Sequence, residues 1–223
     1  MDDTTLKALT RSALFSGMTM DEIAFSLGSL TCKMVKVGKK DIYMLAGYAC
    51  RHVDIVVRGT LVARMVGLSG KLVEVTRMGV GYVLAPAFIF AKDNRMPVSV
   101  ETDTEVTLFR LSQDDVEHLV DYNSKVRWNF VRILSDMSAF LASKMRFLAL
   151  FSVKEKVVYY ILSLSHAQGS RMVLLDKSRQ AMADSFGIQK FSLLRCLADL
   201  VEDGAIAVEG KTITILDRSK LRL

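Results

Sequence analysis

Residues 178–213 read SRQAMADSFGIQKFSLLRCLADLVEDGAIAVEGKTI, and this stretch decides the fold of the last third of the chain. Its first part predicts two short helices separated by Gly187, because glycine permits the tight turn of a helix-turn-helix. The second helix is predicted from Ile188 to Val201. Apolar residues that would lock the two helices together are Met182, Phe186, Ile188, Leu193, Leu194 and Leu197. Two strands joined at Glu209-Gly210 then predict a β-hairpin, so the whole stretch indicates a winged helix-turn-helix.

The polar side chains of this stretch predict a DNA-binding surface. The second helix of a helix-turn-helix offers its N-terminal face to the major groove, and that face here carries Gln189, Lys190, Ser192 and Arg195. From Lys177 to Arg195 there are four basic residues and one acid, Asp184, a local excess that phosphate neutralisation requires. Lys211 follows the hairpin turn and extends this surface onto the wing. The alternative is that these are solvated polar positions on a small helical domain.

The chain has 223 residues, of which 51% are hydrophobic and 24% charged. This composition is typical of a folded protein whose hydrophobic core is large enough to be stable without disulfide bonds. Its cysteines, Cys32, Cys50 and Cys196, are scattered and lack CxxC spacing. A disulfide framework, a cysteine metal site and an iron–sulfur cluster are therefore not expected. The net charge of +6 favours an anionic partner.

The N-terminus does not have the pattern of a secretory signal, and no apolar stretch reaches the roughly 18 residues that span a bilayer. These features predict a cytoplasmic protein without a membrane partner. The sequence has no Ser/His/Asp set, no phosphate-binding loop and no metal-ligand spacing, so we do not expect an enzyme or a catalytic residue.

Residues 31–110 alternate between short β segments and turns. The predicted strands are rich in Val, Ile and Thr: CKMVKV, DIYML, VDIVV, TLVARMV, KLVEVTRM, PVSVET and EVTLFRL. A turn at Leu68-Ser69-Gly70 is predicted between the fourth and the fifth. This spacing indicates a sandwich, a jelly roll or a barrel. Before the strands, a helix is predicted with Thr19 as its N-cap and Glu22 completing a capping box.

Residues 113–150 contain no proline or glycine and predict a long helix. Apolar residues at alternating spacings of four and three predict a dimer interface of Val126, Phe130, Ile133, Met137, Phe140 and Phe147, interrupted by Lys144. A helix of about 25 residues is roughly 38 Å long, which is more than one small barrel can cover. The alternative is that this helix lies on its own barrel.

Nearly the whole chain resembles the superfamily of the cAMP receptor protein and the fumarate-nitrate regulator (Crp/Fnr). Besides residues 178–213, the resemblance rests on Leu14-Phe15-Ser16-Gly17-Met18 and on glycine turns at Gly38, Gly47, Gly59 and Gly81. It implies an α+β fold with an N-terminal jelly-roll β-barrel of the cyclic-nucleotide-binding type at 1–112, a dimerisation helix at 113–150 and a winged helix-turn-helix at 151–223. It also implies a homodimeric transcription regulator that binds double-stranded DNA and RNA polymerase.

The resemblance assigns roles to individual side chains. Those that would hold the DNA backbone are Ser178, Gln180, Gln189 and Ser192. Lys190 and Arg195 would reach base edges, with guanine as the expected partner of Arg195. Phe191 departs from the family pattern, since many members have a glutamate there that reads cytosine. The family's usual operator is therefore not expected for this chain.

The N-terminal domain is expected to bind an effector other than cAMP. Cyclic-nucleotide binders of this family have a Gly-Glu-Leu motif and an Arg-Ser pair, whereas this chain has Pro86 and Met96-Pro97 near those positions. An apolar effector pocket is predicted from Leu84, Pro86, Ala87, Phe88, Ile89, Phe90 and Met96. Haem is a candidate occupant, as in the haem-dependent nitrosative-stress sensors that the chain resembles. Candidate iron ligands are His52, Met65, Met78 and Met96.

Effector binding is predicted to rotate the DNA-binding domains about a hinge near Phe151-Ser152. Two simpler interpretations remain open. The methionines named as candidate iron ligands could instead be core residues, which is the usual role of methionine in a β-domain. The chain as a whole could also be a ligand-binding or protein-interaction module with a degenerate DNA domain.

Overall fold

The structure is a computed structural model that describes residues 1–66 and 72–222. Its contacts divide the chain into two compact units, Met1–Ser138 and Ala139–Leu223. The turn predicted at Leu68-Ser69-Gly70 lies outside the described residues. Across the described ranges, no helix is both long enough and apolar enough to cross a membrane.

The first unit begins with helical elements: α1 (Asp3–Thr10), a 3-10 turn (Ala13–Phe15) and α2 (Met20–Leu27). The predicted capping box starts α2. Thr19 Oγ1 accepts a hydrogen bond from the Glu22 amide at 3.2 Å, and the Glu22 carboxylate accepts one from the Thr19 amide at 2.8 Å. Two amide groups that a helix start leaves without intrahelical partners are thereby satisfied.

Two antiparallel four-stranded sheets form the body of the first unit. Their strands are β1 (Lys33–Val37), β2 (Ile42–Met44), β3 (His52–Arg58), β4 (Leu61–Val66), β5 (Leu72–Met78), β6 (Val83–Leu84), β7 (Ser99–Thr102) and β8 (Val106–Ser112). One sheet has the order β1-β8-β3-β6 and the other β2-β7-β4-β5. The chain passes repeatedly from one sheet to the other, as in a jelly roll, so the predicted α+β fold is confirmed.

Two of the predicted glycine turns are needed for both conformation and space. Gly59 joins β3 to β4 at φ +86°, and a Cβ there would lie 2.2 Å from the carbonyl oxygen of Glu105. Gly81 has φ +88°, and its Cβ would lie 2.9 Å from the carbonyl oxygen of Arg11. A side chain at either position would clash with backbone as well as strain its own.

Hydrogen bonds between a tyrosine and an ion pair link the two sheets. Asp54 on β3 is 1% exposed, and Arg110 on β8 donates to it through Nε at 2.9 Å. Tyr43, on β2 in the opposite sheet, donates its hydroxyl to Asp54 and accepts from Arg110. Burial, followed by the Asp54 carboxylate, raises the pKa of Tyr43, so its hydroxyl stays a donor throughout the neutral range.

Residues 113–150 form two helices, α3 (Gln113–Tyr122) and α4 (Ser124–Leu150), which corrects the expectation of one uninterrupted helix. The break falls at Asn123, whose backbone is extended. Its side-chain Oδ1 accepts a hydrogen bond from the Val126 amide at 3.1 Å and so caps the start of α4. Asparagine favours such caps because its short polar side chain replaces a missing backbone acceptor.

The first half of the predicted dimer interface lies in the core of the first unit. Val126 is fully buried, and the ring of Phe130 packs edge-to-face on Phe90 with centroids 5.9 Å apart. Ile133 packs against the same core. Val126 and Phe130 therefore have no surface left for a partner chain, which corrects their assignment. In this part, α4 lies on its own barrel, the alternative considered above.

The second unit contains the end of α4 and the elements α5 (Val153–Gln168), β9 (Met172–Leu174), α6 (Arg179–Phe186), α7 (Lys190–Glu202), β10 (Ile206–Glu209), β11 (Thr212–Ile215) and a 3-10 turn (Arg218–Lys220). Its sheet is antiparallel with the order β10-β11-β9. The three helices α5, α6 and α7 pack on this sheet around one buried cluster that includes Val157, Met182, Leu193, Leu197 and Ile213. This is the predicted winged helix-turn-helix.

Candidate nucleic-acid interface and ligand cavity

The helix-turn-helix is built from a capped first helix and a glycine turn. Ser178 begins α6, and its Oγ accepts a hydrogen bond from the Ala181 amide at 3.1 Å. Gly187 ends α6 at φ +65°, where glycine avoids the steric cost of the left-handed region. The second helix, α7, starts at Lys190 with Gln189 as its N-cap, two residues later than predicted. Ile188 instead occupies the turn and packs against the core.

The predicted DNA contacts lie on α6, at the start of α7 and at the turn of the hairpin. The side chains of Gln180, Gln189, Lys190, Arg195 and Lys211 are exposed, and that of Ser192 is half-buried. In the described part of the chain, neither Lys190 nor Arg195 has a carboxylate within ion-pair distance. Their charges are therefore available to an external anion. Gln180 donates to Asp184 at 2.9 Å, so its amide is already oriented.

Two apolar side chains in the first half of α7 also face outward. Leu194 was expected in the core but is 42% exposed. The correction follows from helix geometry, because Leu193 and Leu197 lie one turn apart on the inward face and are both buried. Phe191 is 74% exposed, so the outward face of α7 combines cations with apolar surface.

Two basic residues that the sequence analysis did not place support this domain. Arg179 on α6 donates through Nη2 to the carbonyl of Gly210 at 3.1 Å, which ties the first helix to the turn of the hairpin. Lys156 on α5 is buried, and its Nζ donates to the carbonyls of Leu148 at 3.0 Å and Phe186 at 3.2 Å. The ammonium thus neutralises the C-terminal ends of two helices. No sequence signal separates Lys156 from its solvated neighbours.

A cavity of about 620 Å³ opens within the first unit. Its wall is formed by β4, β5, the segment from Gly79 to Phe88, the residues around β7, and α4. Most of the lining is apolar: Ala63, Val75, Met78, Val83, Leu84, Ala85, Pro86, Phe88, Met96, Val98, Val100, Ile133 and Met137. Charged groups among the lining residues are Arg11 and Asp136, both exposed. The cavity therefore suits an apolar molecule with few polar groups.

The predicted effector pocket agrees in part with this cavity. Leu84, Pro86, Phe88 and Met96 line it, whereas Ala87, Ile89 and Phe90 do not. Phe90 is turned away and packs on Phe130, as described above, because the segment after Phe88 leaves the cavity wall. Ile133 and Met137, which were assigned to the dimer interface, also line this cavity. Sequence periodicity could not separate a cavity-facing stripe from a partner-facing one.

The lining has few groups for the ligands considered from the sequence. A cyclic nucleotide needs a cation for its phosphate. Arg95, the arginine next to the position of the family's Arg-Ser pair, is exposed and outside the lining, and Arg11, which does line the cavity, is also exposed. Of the candidate iron ligands, Met78 and Met96 line the cavity, while His52 lies beside Lys33 and Arg110 in another depression. Met65 is 46% exposed and also outside the lining. A histidine-ligated haem does not fit, and the thioethers of Met78, Met96 and Met137 are the sulfur ligands that the lining would offer.

The three cysteines are poor nucleophiles. Burial raises the pKa of Cys32 to about 11 and also raises the pKa of Cys50 and of Cys196. Because the thiolate is the reactive form, we expect iodoacetamide at pH 7.5 to label all three more slowly than free cysteine. Labelling should accelerate with pH and after unfolding in urea. Fast labelling of one cysteine in the folded protein at pH 7.5 would contradict this and indicate a redox-active thiol.

In the described residues, no group of three or more His, Cys, Asp or Glu side chains is arranged to hold a metal ion. No curated protein matches the chain in sequence. Residues 155–223 match the Crp-like helix-turn-helix domain family.

Solved structures of low sequence identity share the fold over most of the chain. The c-di-GMP-responsive global regulator CLP of Xanthomonas campestris has a TM-score of 0.61 at 18% identity, covering 87% of this chain and 99% of CLP. FixK2 of Bradyrhizobium japonicum has 0.55 at 16%, covering 86% and 96%. The catabolite activator protein of Thermus thermophilus has 0.52 at 17%, covering 94% and 96%. Residues 155–223 are therefore similar to the Crp-like helix-turn-helix domain family, and the chain as a whole shares its fold with these three solved structures.

Proposed function

We propose that the protein is a homodimeric transcription regulator whose binding to double-stranded DNA is controlled by a small apolar effector. The observation that carries the proposal is the exposed start of α7, where Lys190 and Arg195 have no acidic partner in the described part of the chain. It lies in a domain that matches the Crp-like helix-turn-helix family. As a regulator of transcription, the protein would meet RNA polymerase at its promoters.

The dependence of DNA binding on salt tests this function. A fluorescent duplex is titrated with the full-length protein at several salt concentrations. We expect the logarithm of the association constant to fall linearly with the logarithm of salt, by about 0.9 for each phosphate contacted. A slope near zero would contradict DNA binding and would favour a ligand-binding or protein-interaction module with a degenerate DNA domain.

Arg195→Ala is expected to weaken binding to the preferred duplex by about 1–3 kcal/mol and to relax base preference at one position of each half-site. The reason is that a guanidinium can donate two hydrogen bonds to guanine O6 and N7. Competition between duplexes that differ at single positions gives both quantities.

The matched control is Arg218→Ala, which removes the same charge from an exposed residue outside the helix-turn-helix. We expect this control to keep the base preference. Equal effects of the two substitutions, or unchanged preference in Arg195→Ala, would show that Arg195 does not read a base.

The cavity of the first unit is the proposed effector site. A ligand there would touch Ile133 and Met137, so its binding energy would act directly on α4. Because α4 continues to Leu150, effector binding can bias its position and thereby the population of DNA-binding-competent dimers. The apolar lining favours an uncharged or weakly polar effector over cAMP.

Haem is one apolar candidate for this site, with Met78, Met96 and Met137 as the thioether ligands that the lining offers. Titration of the purified protein with haem, followed by Soret absorbance, tests it. A saturable band at one haem per chain that is lost in Met96→Leu and shifts with nitric oxide would support nitrosative-stress sensing. The absence of a specific band would exclude haem and favour an apolar organic molecule as the effector that binds in this cavity.

The proposed dimer forms through a second apolar stripe on α4. Exposed apolar side chains recur at Val131, Leu141, Met145 and Leu148, which with Leu134 and Ser138 alternate in spacings of three and four. Their exposed fractions are 44%, 59%, 71% and 47% in chain order. Such spacing is that of a coiled-coil seam, so a second copy of α4 is the proposed occupant.

A further inference from the structure

The exposed ring of Phe191 is a feature of α7 that packing does not explain. The side chain is 74% exposed in the first turn, while the inward face of α7 is filled by Leu193 and Leu197. An aromatic ring in water gains nothing from the fold, since the hydrophobic effect rewards only surface that is removed from water. Its neighbours are Lys190 and, one turn further, Arg195.

The position of Phe191 fits a base-reading role. Residues four apart on a helix have Cβ atoms about 5–6 Å apart, so Phe191 and Arg195 lie on one face. Base pairs stack about 3.4 Å apart along the duplex, which places their targets within roughly two base pairs of each other. Leu194, 42% exposed, adds apolar surface beside the ring.

The chemistry of the ring limits what it can recognise. A phenyl group has no hydrogen-bond donor or acceptor, so it cannot read the polar edges of guanine, adenine or cytosine. In the major groove, the C5-methyl of thymine is the apolar group that a base pair presents. Contact with that methyl would remove two apolar surfaces from water at once.

We propose that Phe191 is a specificity-determining residue that selects a thymine, through its C5-methyl group, within about two base pairs of the base read by Arg195. This inference rests on the proposed DNA-binding function. The selected thymine would distinguish the operator of this chain from the operators of family members that have a glutamate at the same position.

The test of this proposal removes only the C5-methyl group of individual thymines in the DNA. Full-length protein selects its site from a library of duplexes randomised over about two helical turns. Each thymine of the selected site is then replaced by deoxyuridine, which differs only by the missing methyl. We expect one position per half-site at which this replacement weakens binding about fourfold, the effect of one apolar methyl contact.

Variants assign that effect to the ring. In Phe191→Ala the preference for thymine over deoxyuridine should vanish, while Phe191→Leu should keep part of it. Val201→Ala is the matched control, because Val201 is an apolar residue of the same helix, 44% exposed, near its other end. This control should leave the preference unchanged.

The outcomes separate the inference from the function on which it rests. Salt-dependent binding with no methyl-sensitive thymine, or with an equal preference in wild type and Phe191→Ala, overturns the role of Phe191 and leaves DNA binding intact. The absence of any salt-dependent binding to duplex DNA overturns both. In that case the ring and Leu194 would belong to a protein-binding face.

Discussion

Arg110→Ala is expected to lower the free energy of unfolding by about 3–5 kcal/mol, because it leaves the Asp54 carboxylate buried without its cation. Asp54 is 1% exposed, and the Arg110 side chain is 24% exposed, so water cannot replace the lost guanidinium well. Tyr43 would keep its hydrogen bond to Asp54 but cannot supply a positive charge. Urea denaturation followed by circular dichroism measures the loss.

The matched control for Arg110 is Arg77→Ala. Arg77 pairs with Glu74 at 2.8 Å and with Asp103 at 2.7 Å, but its side chain is 51% exposed. Surface pairs of this kind contribute about 0–1 kcal/mol, so this variant should be nearly as stable as the wild type. A loss below about 1 kcal/mol for Arg110→Ala as well would mean that the buried pair is no better than a surface one.

The elements of the fold could be predicted wherever the signal is local. Short segments rich in Val, Ile and Thr between turn signals predicted the strands, and the Thr19–Glu22 box predicted the start of α2. The break at Asn123 was not predicted, because asparagine is tolerated inside helices and becomes a cap only when the chain bends. The ion pair of Asp54 and Arg110 depends on strand register across distant parts of the chain, which single-residue patterns do not contain.

The candidate DNA contacts are closer together in sequence than the residues that line the cavity, for a physical reason. The helix-turn-helix places its candidate contacts on α6, on α7 and at the following hairpin turn, so spacing along the chain is enough to group them. The cavity collects residues from α4 and from strands that are far apart in sequence, such as Met78, Met96 and Met137. An apolar residue at helical spacing can face a core, a cavity or a partner, and only the packing of other elements decides between them.

The assignment of the dimer interface illustrates this ambiguity. Both apolar stripes of α4 have coiled-coil spacing, but the stripe chosen from the sequence is buried against the first unit at Val126 and Phe130. Asn129 on the same side donates its amide to the carbonyls of Leu14 at 3.1 Å and Ser16 at 2.9 Å, which anchors this side of the helix. The stripe through Leu141 and Met145 is exposed, which is why we propose it as the dimer interface.

Leu141→Asp is accordingly expected to raise the dissociation constant of the dimer at least about 100-fold. Each dimer would carry two aspartates in the seam, and each would cost roughly 1–3 kcal/mol through lost apolar burial and an unpaired charge, where 1.4 kcal/mol corresponds to a factor of ten. Sedimentation equilibrium of the full-length chain measures this constant.

Phe140→Asp is the matched comparison, because Phe140 and Leu141 are adjacent and equally exposed at 59%. Phe140 belongs to the stripe chosen from the sequence and Leu141 to the one left open by the structure. If the seam runs through Leu141, Phe140→Asp should keep the dimer, and its new carboxylate can pair with Lys144 one turn away. The reverse result would be a monomeric Phe140→Asp and a dimeric Leu141→Asp. It would show that the interface predicted from the sequence is correct for the second half of α4, with Phe140 and Phe147 both in contact with the partner.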